Sequence, residues 1–371
     1  MNTLEGRLRD AYQAAAQTVR PGSIPAPPAR LDPTGTRTGG RRRARFAIPL
    51  TAAAAVALIA VAAWAIGQQA GQPPRGPAYR LGPAAARPVP PFLVTIPSTG
   101  RGLMIYRAAT GQPLARTAAP RGLAFDAVAA TSDNRSFIVA GSVACSARFY
   151  RLRLSRQGRS ARLSPLAVPE VHANYVKSMS ASADGRTIAY SSEACASDTG
   201  RLSVAQVGQA AVRSWPLRSA VNLSLSADGR LLYFDSSTVF GGDGTVRVMR
   251  TDAPRRHLLR HARILLPASS RIDETGSTTV LPGGVLLGCL ERGQVAILAA
   301  YNATTGAELG VIHSWPHTDA APCTVTAAPA GGHAFISVSV PGLGTRVDLA
   351  TGRARPEPGG PGANPPDEVA W

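Results

Sequence analysis

Beyond residue 91 the chain is a succession of short apolar segments separated by polar turns. Thr187–Tyr190, Leu231–Phe234, Val285–Leu287, Val295–Tyr301 and Ala334–Val340 are rich in β-branched and aromatic residues, which is strand composition. The turns recur. Asp133-Asn134, Asp184-Gly185, Asp228-Gly229, Gly283-Gly284 and Gly331-Gly332 follow one another at intervals of 51, 44, 55 and 48 residues. Two are near-copies, Ser182-Ala-Asp-Gly-Arg186 and Ser226-Ala-Asp-Gly-Arg230. Such dipeptides suit tight hairpins because the turn needs a positive φ, which Gly adopts freely and Asn or Asp tolerate. A second turn, Tyr106-x-Ala-x-Thr110-Gly111, returns at Tyr301-x-Ala-x-Thr305-Gly306, and Thr351-Gly352 repeats its core 46 residues later. A third marker, Ser-Trp-Pro at 214–216 and 314–316, is separated by 100 residues, or two units.

Four strands in each unit of 40 to 50 residues is the pattern of a β-propeller blade. Five units carry the first turn. Ahead of them Phe92–Ile96, Gly102–Ala108 and Pro113–Arg116 read as three further strands that lack an innermost partner, and Asp367–Trp371 at the C-terminus can supply it. The expected fold is all-β, a six-bladed propeller closed by its last strand, or seven-bladed if the long interval from Asp228 to Gly283 hides an irregular blade.

One segment breaks the pattern. Residues 47–66 (AIPLTAAAAVALIAVAAWAI) carry no charge over 20 positions, long enough for a helix to cross a bilayer. Arg41, Arg42, Arg43 and Arg45 precede it, and residues 1–45 hold nine arginines against Glu5, Asp10 and Asp32. Arginine flanking a first span stays in the cytoplasm, so the expectation is a cell-membrane protein with one transmembrane helix, a short cytoplasmic N-terminal tail and an extracytoplasmic propeller. A cleaved signal peptide is the alternative; the 45-residue charged region exceeds its usual length. The expected layout is a basic tail (1–45) with one short helix (Thr3–Thr18), a transmembrane helix (46–66), a Pro/Gly-rich stalk (67–90) and the propeller (91–371).

The four cysteines, Cys145, Cys195, Cys289 and Cys323, all follow the apolar run. That suits an oxidising compartment and two disulfides, with four buried thiols as the alternative. Cys145 and Cys195 lie 12 and 11 residues past their Asp turns, equivalent places in neighbouring blades, so the register predicts Cys145–Cys195 and, for the other two, Cys289–Cys323. No pair has Cys-x-x-Cys spacing, and no zinc or redox site is expected.

The Ser-Ala-Asp-Gly-Arg and Tyr-x-Ala-x-Thr-Gly turns, together with the membrane layout, resemble single-pass bacterial proteins carrying an extracytoplasmic WD-repeat-like, TolB-like or lactonase-like propeller. The units lack the Gly-His and Trp-Asp pair of true WD repeats. The resemblance implies fold and anchoring and assigns no chemistry.

Strands alternate in direction, so the short Asp-Gly and Thr-Gly turns share one face (the turn face), and longer, irregular connections share the other (the loop face), where binding residues gather. The loop face is expected to hold His172, Asn174, Glu193, Asp198, Asp243, Trp315, His317 and Asp319. His257-Leu-Leu-Arg-His261 has helical metal spacing but falls where strand or loop is expected, so neither a metal nor a cofactor is predicted. The chain has 40 basic against 22 acidic residues, and 39 of the 40 are arginine. Of the surplus of 18, nine lie in the propeller. Arg151, Arg153, Arg156, Arg255, Arg256 and Arg260, from two arginine clusters, are candidates to meet an anionic wall polymer or lipid. Nucleic acid is not an expected partner, because no base-reading motif occurs. The expected role is noncatalytic binding or sensing of an extracytoplasmic ligand or protein. The alternatives are a lactonase- or hydrolase-like propeller enzyme, and a signalling protein whose tail contacts a transcription regulator.

Overall fold

The computed structural model describes residues 79–371 except 83–87, 196–198, 238–241, 255–257, 269–276, 293–294, 317–322, 329–330, 339–343, 357–367 and 371. The tail and the apolar run 47–66 lie outside the described residues, and no described helix is long and apolar enough to cross a membrane.

Six four-stranded antiparallel sheets form the blades of a propeller. Blade 1 holds β1 (Phe92–Ile96), β2 (Gly102–Arg107) and β3 (Gln112–Ala118), with the C-terminal β24 (Glu368–Ala370) as its innermost strand. The remaining blades take four consecutive strands each. Blade 2 has β4 (Ala124–Ala130), β5 (Ser136–Val143), β6 (Ser146–Leu154) and β7 (Ala161–Pro165). Blade 3 has β8 (Tyr175–Ala181), β9 (Thr187–Glu193), β10 (Gly200–Gln206) and β11 (Val212–Pro216). Blade 4 has β12 (Ala220–Leu225), β13 (Leu231–Ser236), β14 (Thr245–Arg250) and β15 (Arg263–Leu266). Blade 5 comprises β16 (Thr278–Leu281), β17 (Val285–Arg292), β18 (Val295–Asn302) and β19 (Glu308–Pro316). Blade 6 comprises β20 (Cys323–Ala327), β21 (His333–Val338), β22 (Gly344–Asp348) and β23 (Ala354–Pro356). Among its described residues the interval from Asp228 to Gly283 holds no seventh blade; it takes up β13–β16 and a one-turn helix, α1 (Leu258–His261).

The core is a ring of six apolar clusters, one in each cleft between neighbouring blades. Each sheet therefore buries both faces, which is why a strand such as β5 reads Phe-Ile-Val-Ala without polar alternation. In the cleft between blades 3 and 4, Trp215 is fully buried against Leu258 of α1, and its indole N–H donates to the Pro254 carbonyl at 2.8 Å. Tyr79 and Leu81, within the segment expected to be stalk, pack into the cleft between blades 5 and 6. Their amides bond to the carbonyls of Val311 at 3.0 Å and Leu349 at 3.2 Å.

The repeated turns work through their carboxylates. Asp184 accepts from Ser182 Oγ (2.7 Å) and the Arg186 amide (3.0 Å), while Ser182 Oγ accepts from the Thr187 amide. Ser226 and Asp228 repeat the arrangement one blade on. Gly185 takes φ 64° and Gly229 φ 69°, the left-handed values that select glycine. Replacing Asp184 by alanine unties one hydroxyl and one amide bond at an exposed turn, and should lower stability by about 1 kcal/mol, read as a melting shift of ~3 °C in calorimetry.

Candidate functional site

The innermost strands β24, β4, β8, β12, β16 and β20 enclose an axial channel of about 600 Å³. An inner strand has one unpaired edge, so its backbone donors need partners. Serines of the preceding blade supply them. Ser178 and Ser180 accept from the amides of Leu223 and Leu225, Ser224 from Val280, and Ser277 from Val325. Between blades 2 and 3, Asp126 accepts from the Val176 amide at 3.3 Å.

The channel differs at its two ends. Toward the turn face its wall is small and apolar, with Ala130, Ala181, Ala183, Ala227, Pro282 and Ala327. Toward the loop face it presents Tyr175, Lys177, Asn222, Thr278 and Thr324. Bulges prepare this mouth. Register shifts occur between Phe125 and Ala127, Val176 and Ser178, and Val221 and Ser224, so Asp126, Lys177 and Asn222 occupy corresponding bulged places in three consecutive blades. A bulge re-aims the side chain it carries. Asn222 sits at φ 50°, which asparagine tolerates better than most residues.

Lys177 is the chain's one lysine. Its side chain is 5% exposed, and the ammonium meets Glu193 Oε2 at 2.7 Å. Tyr175 donates its hydroxyl to the same oxygen at 3.0 Å. The bond from Lys177 holds the Glu193 carboxyl below its ordinary range, whereas burial, reinforced by Glu193, pushes the Tyr175 phenol up to about 12. One layer deeper, Asp235 accepts from Asn222 Nδ2 (2.9 Å) and Thr278 Oγ1 (2.7 Å), and burial raises its pKa to about 7. Burial likewise raises Asp126 to about 6, against the opposing pull of Ser142 and the Val176 amide.

Of the residues expected on the loop face, Glu193 belongs to this mouth. His172 and Asn174 are exposed in the link from β7 to β8, and the Asn174 amide bonds to the Glu193 carbonyl. Asp243 is taken up within its own loop by Thr245 and Arg247. Trp315 is half-buried on the outer strand β19, stacked on His313 at 5.3 Å, away from the channel. Asp198, His317 and Asp319 lie outside the described residues. Sequence reasoning missed Asp126, Tyr175, Lys177, Asn222 and Asp235. The available signal was the single lysine among 39 arginines.

Cys145 and Cys195 form the expected disulfide, joining the loops of blades 2 and 3 across a Cα separation of 5.6 Å. Cys289 is also disulfide-bonded, and the side chain of Cys323 lies outside the described ones. The His257–His261 segment needs correction: its described part, Leu258–His261, is a helical turn and not strand or loop. No group of metal-binding side chains occurs among the described residues.

The arginines divide. Arg153, Arg156 and Arg260 are exposed, and Arg255 and Arg256 lie outside the described residues. Arg151 is half-buried and donates to the Gly185 carbonyl of blade 3, so it serves blade packing. Arg247, from the second cluster, is buried against Asp243.

The fold and the site define a closed six-bladed β-propeller with one polar channel mouth. No family model matches the sequence, and no curated protein does. Among solved structures, TolB from Acinetobacter baumannii is similar with a TM-score of 0.52 and 14% identity over 76% of this chain. The match spans 65% of the TolB chain's own length. A chain of a nidogen/laminin complex is similar with a TM-score of 0.51 and 11% identity, over 75% of this chain and 97% of that one. At these identities the likeness concerns the fold alone.

Proposed function

We propose that this chain is a noncatalytic binding or sensing propeller, held at the outer side of the cell membrane by residues 46–66, that takes its ligand at the loop-face mouth of the channel. The observation that carries the reading is the placement of Lys177, the one lysine, nearly buried on a bulged inner strand at the wall of a 600 Å³ channel. The neighbouring carboxylates favour binding over catalysis. Both oxygens of Asp235 are bonded, by Asn222 and Thr278, as are both of Asp126, by Ser142 and the Val176 amide, and the charge of Glu193 is neutralised by Lys177. A general base or a cation site needs lone pairs free toward the cavity.

The test is a binding screen of sugar acids, phosphate esters and short peptides against the full chain in detergent. A hit should weaken at least tenfold in Lys177→Met, which removes the ammonium and keeps its length, measured below a melting temperature that the loss of the Glu193 ion pair should lower by several degrees. Binding unaffected by that change would move the site elsewhere. Substrate turnover abolished by EDTA would replace the reading with the enzymatic alternative.

A further inference from the structure

Leu259 and Ile264 are the two large apolar side chains exposed among the described residues, at 51% and 48%. They stand five residues apart in sequence at the outer rim of blade 4. Leu259 lies on α1, whose Leu258 turns inward onto Trp215, and Ile264 is on the edge strand β15. Arg260 and Arg263, both exposed, flank them.

Both residues lie on the turn-face side of the rim. α1 belongs to the connection between the third and fourth strands of its blade, as do the Thr-Gly turns. Arg263 donates to the carbonyl of Thr304, in the corresponding turn of blade 5. One blade further, the same side of the rim receives the chain from its N-terminal side. Tyr79 bonds to Val311 of β19, Leu81 to Leu349 beside the Thr351-Gly352 turn, and the exposed Arg80 to the Ile312 carbonyl at 3.1 Å. A continuous strip thus runs from the apolar pair on blade 4 to the point where the tether docks. Of the acidic residues on this side, Asp228 and Asp252 are paired with Arg230 and Arg250, Asp348 is taken up by the amides of its own turn and Glu308 stands at the start of β19, while Arg80, Arg260, Arg263 and Arg353 are exposed, which leaves a cationic surplus.

Twelve residues, 67–78, separate the apolar run from Tyr79. Fully extended they reach about 40 Å, so the propeller stays close to the surface from which they emerge, but the tether alone does not choose which face turns toward it. The strip does. Apolar side chains set among arginines match the boundary of an anionic bilayer, where the apolar pair enters the headgroup layer and the guanidinium groups meet phosphate.

We propose that this turn-side strip of blades 4 to 6 rests on the anionic lipid surface, so that the loop-face mouth with Lys177 opens away from the bilayer. The proposal rests on the membrane anchoring inferred above. Its test uses the full chain reconstituted in phosphatidylcholine vesicles with and without phosphatidylglycerol, with a fluorophore introduced through an unnatural amino acid at Thr304 or at Asn174 and a headgroup-labelled quenching lipid. Quenching at 304 should exceed that at 174 by about fivefold, and more so with phosphatidylglycerol present. The ratio should fall toward one in the Leu259→Glu, Ile264→Glu variant, whose exposed changes leave the melting temperature in place. Equal or reversed quenching, or no response to phosphatidylglycerol, overturns the orientation. Release of the strip by a soluble anionic polymer, with quenching at 304 lost, assigns it to that polymer instead. Flotation with vesicles is measured separately, so a chain that does not float fails by its anchoring, and one that floats with the mouth facing the lipid fails by its orientation.

Discussion

Removing residues 368–371 should lower the melting temperature by roughly 10–15 °C and leave the propeller prone to self-associate. The strand lost is short, but it closes the ring. Val94, Thr95 and Ile96 pair with Ala370, Val369 and Glu368, and Ala370 is 2% exposed within the cluster that joins blades 1 and 2. Its ladder bonds are worth about 1 kcal/mol each and the buried aliphatic surface about 1–2 kcal/mol, together about 4 kcal/mol. A domain of this size loses ~2–4 °C for each kcal/mol. Without β24, β1 becomes an open edge on the channel, a template for a second chain. Calorimetry and light scattering read the two effects. If the truncated chain melts within about 2 °C of the parent, closure by the terminal strand contributes little to stability.

Stability should also peak near pH 4 and fall on both sides, with Asp235 responsible for much of the alkaline decline. Burial raises Asp235 from 3.8 to about 7, so over that range the folded chain keeps a proton that the unfolded chain has released. Where the folded state binds more protons, raising the pH favours unfolding, and the stability present below pH 3.8 is lost as the pH passes through 7. For one carboxyl buried in this way the loss is on the order of 2–4 kcal/mol. Asp126, raised to about 6 by burial, adds in the same direction. The turn carboxylates work oppositely. Bonds from Ser182 and Ser226 lower Asp184 and Asp228. At Asp243 burial opposes the shift, but Thr245, Arg247 and Ser236 outweigh it and hold the group at about 2. Their contribution is present above pH 3.8 and lost as the pH falls. Asp235→Asn keeps an acceptor for Thr278 and, with the Asn222 amide turned over, a partner for Asn222. That variant should be more stable than the parent at pH 8 by about 2 kcal/mol or more and equal to it near pH 4, in urea titrations. A parent equally stable at pH 5 and pH 8 would refute the assignment.

How much of this could be read from the chain depends on whether the signal is local. A Ser-x-Asp-Gly turn is written in consecutive residues, because Ser182, Asp184 and Gly185 satisfy one another within four positions. The Cys145–Cys195 pairing was legible for a related reason: a repeat puts equivalent positions in adjacent blades, and the two cysteines lie 50 residues apart. The mouth was not legible. Lys177 meets Glu193 only because β8 bulges beside β9, and Asp235 meets Thr278 across a blade boundary 43 residues away. The loop-face prediction ranked residues by polarity and so favoured Asp243, which its own loop consumes, over Asn222, which a bulge in β12 brings to the mouth.

The arginine clusters show the same boundary. Alternation along β6 placed Arg151 and Arg153 on one side of the strand, but both sides of a blade face other blades. Whether a guanidinium there reaches solvent or a neighbour's carbonyl depends on how far out along the blade it lies. Sequence by itself determined the blade repeat, the closing strand, the turns and the equivalent placing of Cys145 and Cys195, because each rests on short-range chemistry repeated at a fixed interval, whereas the choice of six blades over seven came from the structure. Only the tertiary structure decided which side chains line the channel, which carboxylates are buried and raised, and where the N-terminal segment docks. Those properties arise from desolvation and contact between residues that the chain keeps far apart until the ring closes.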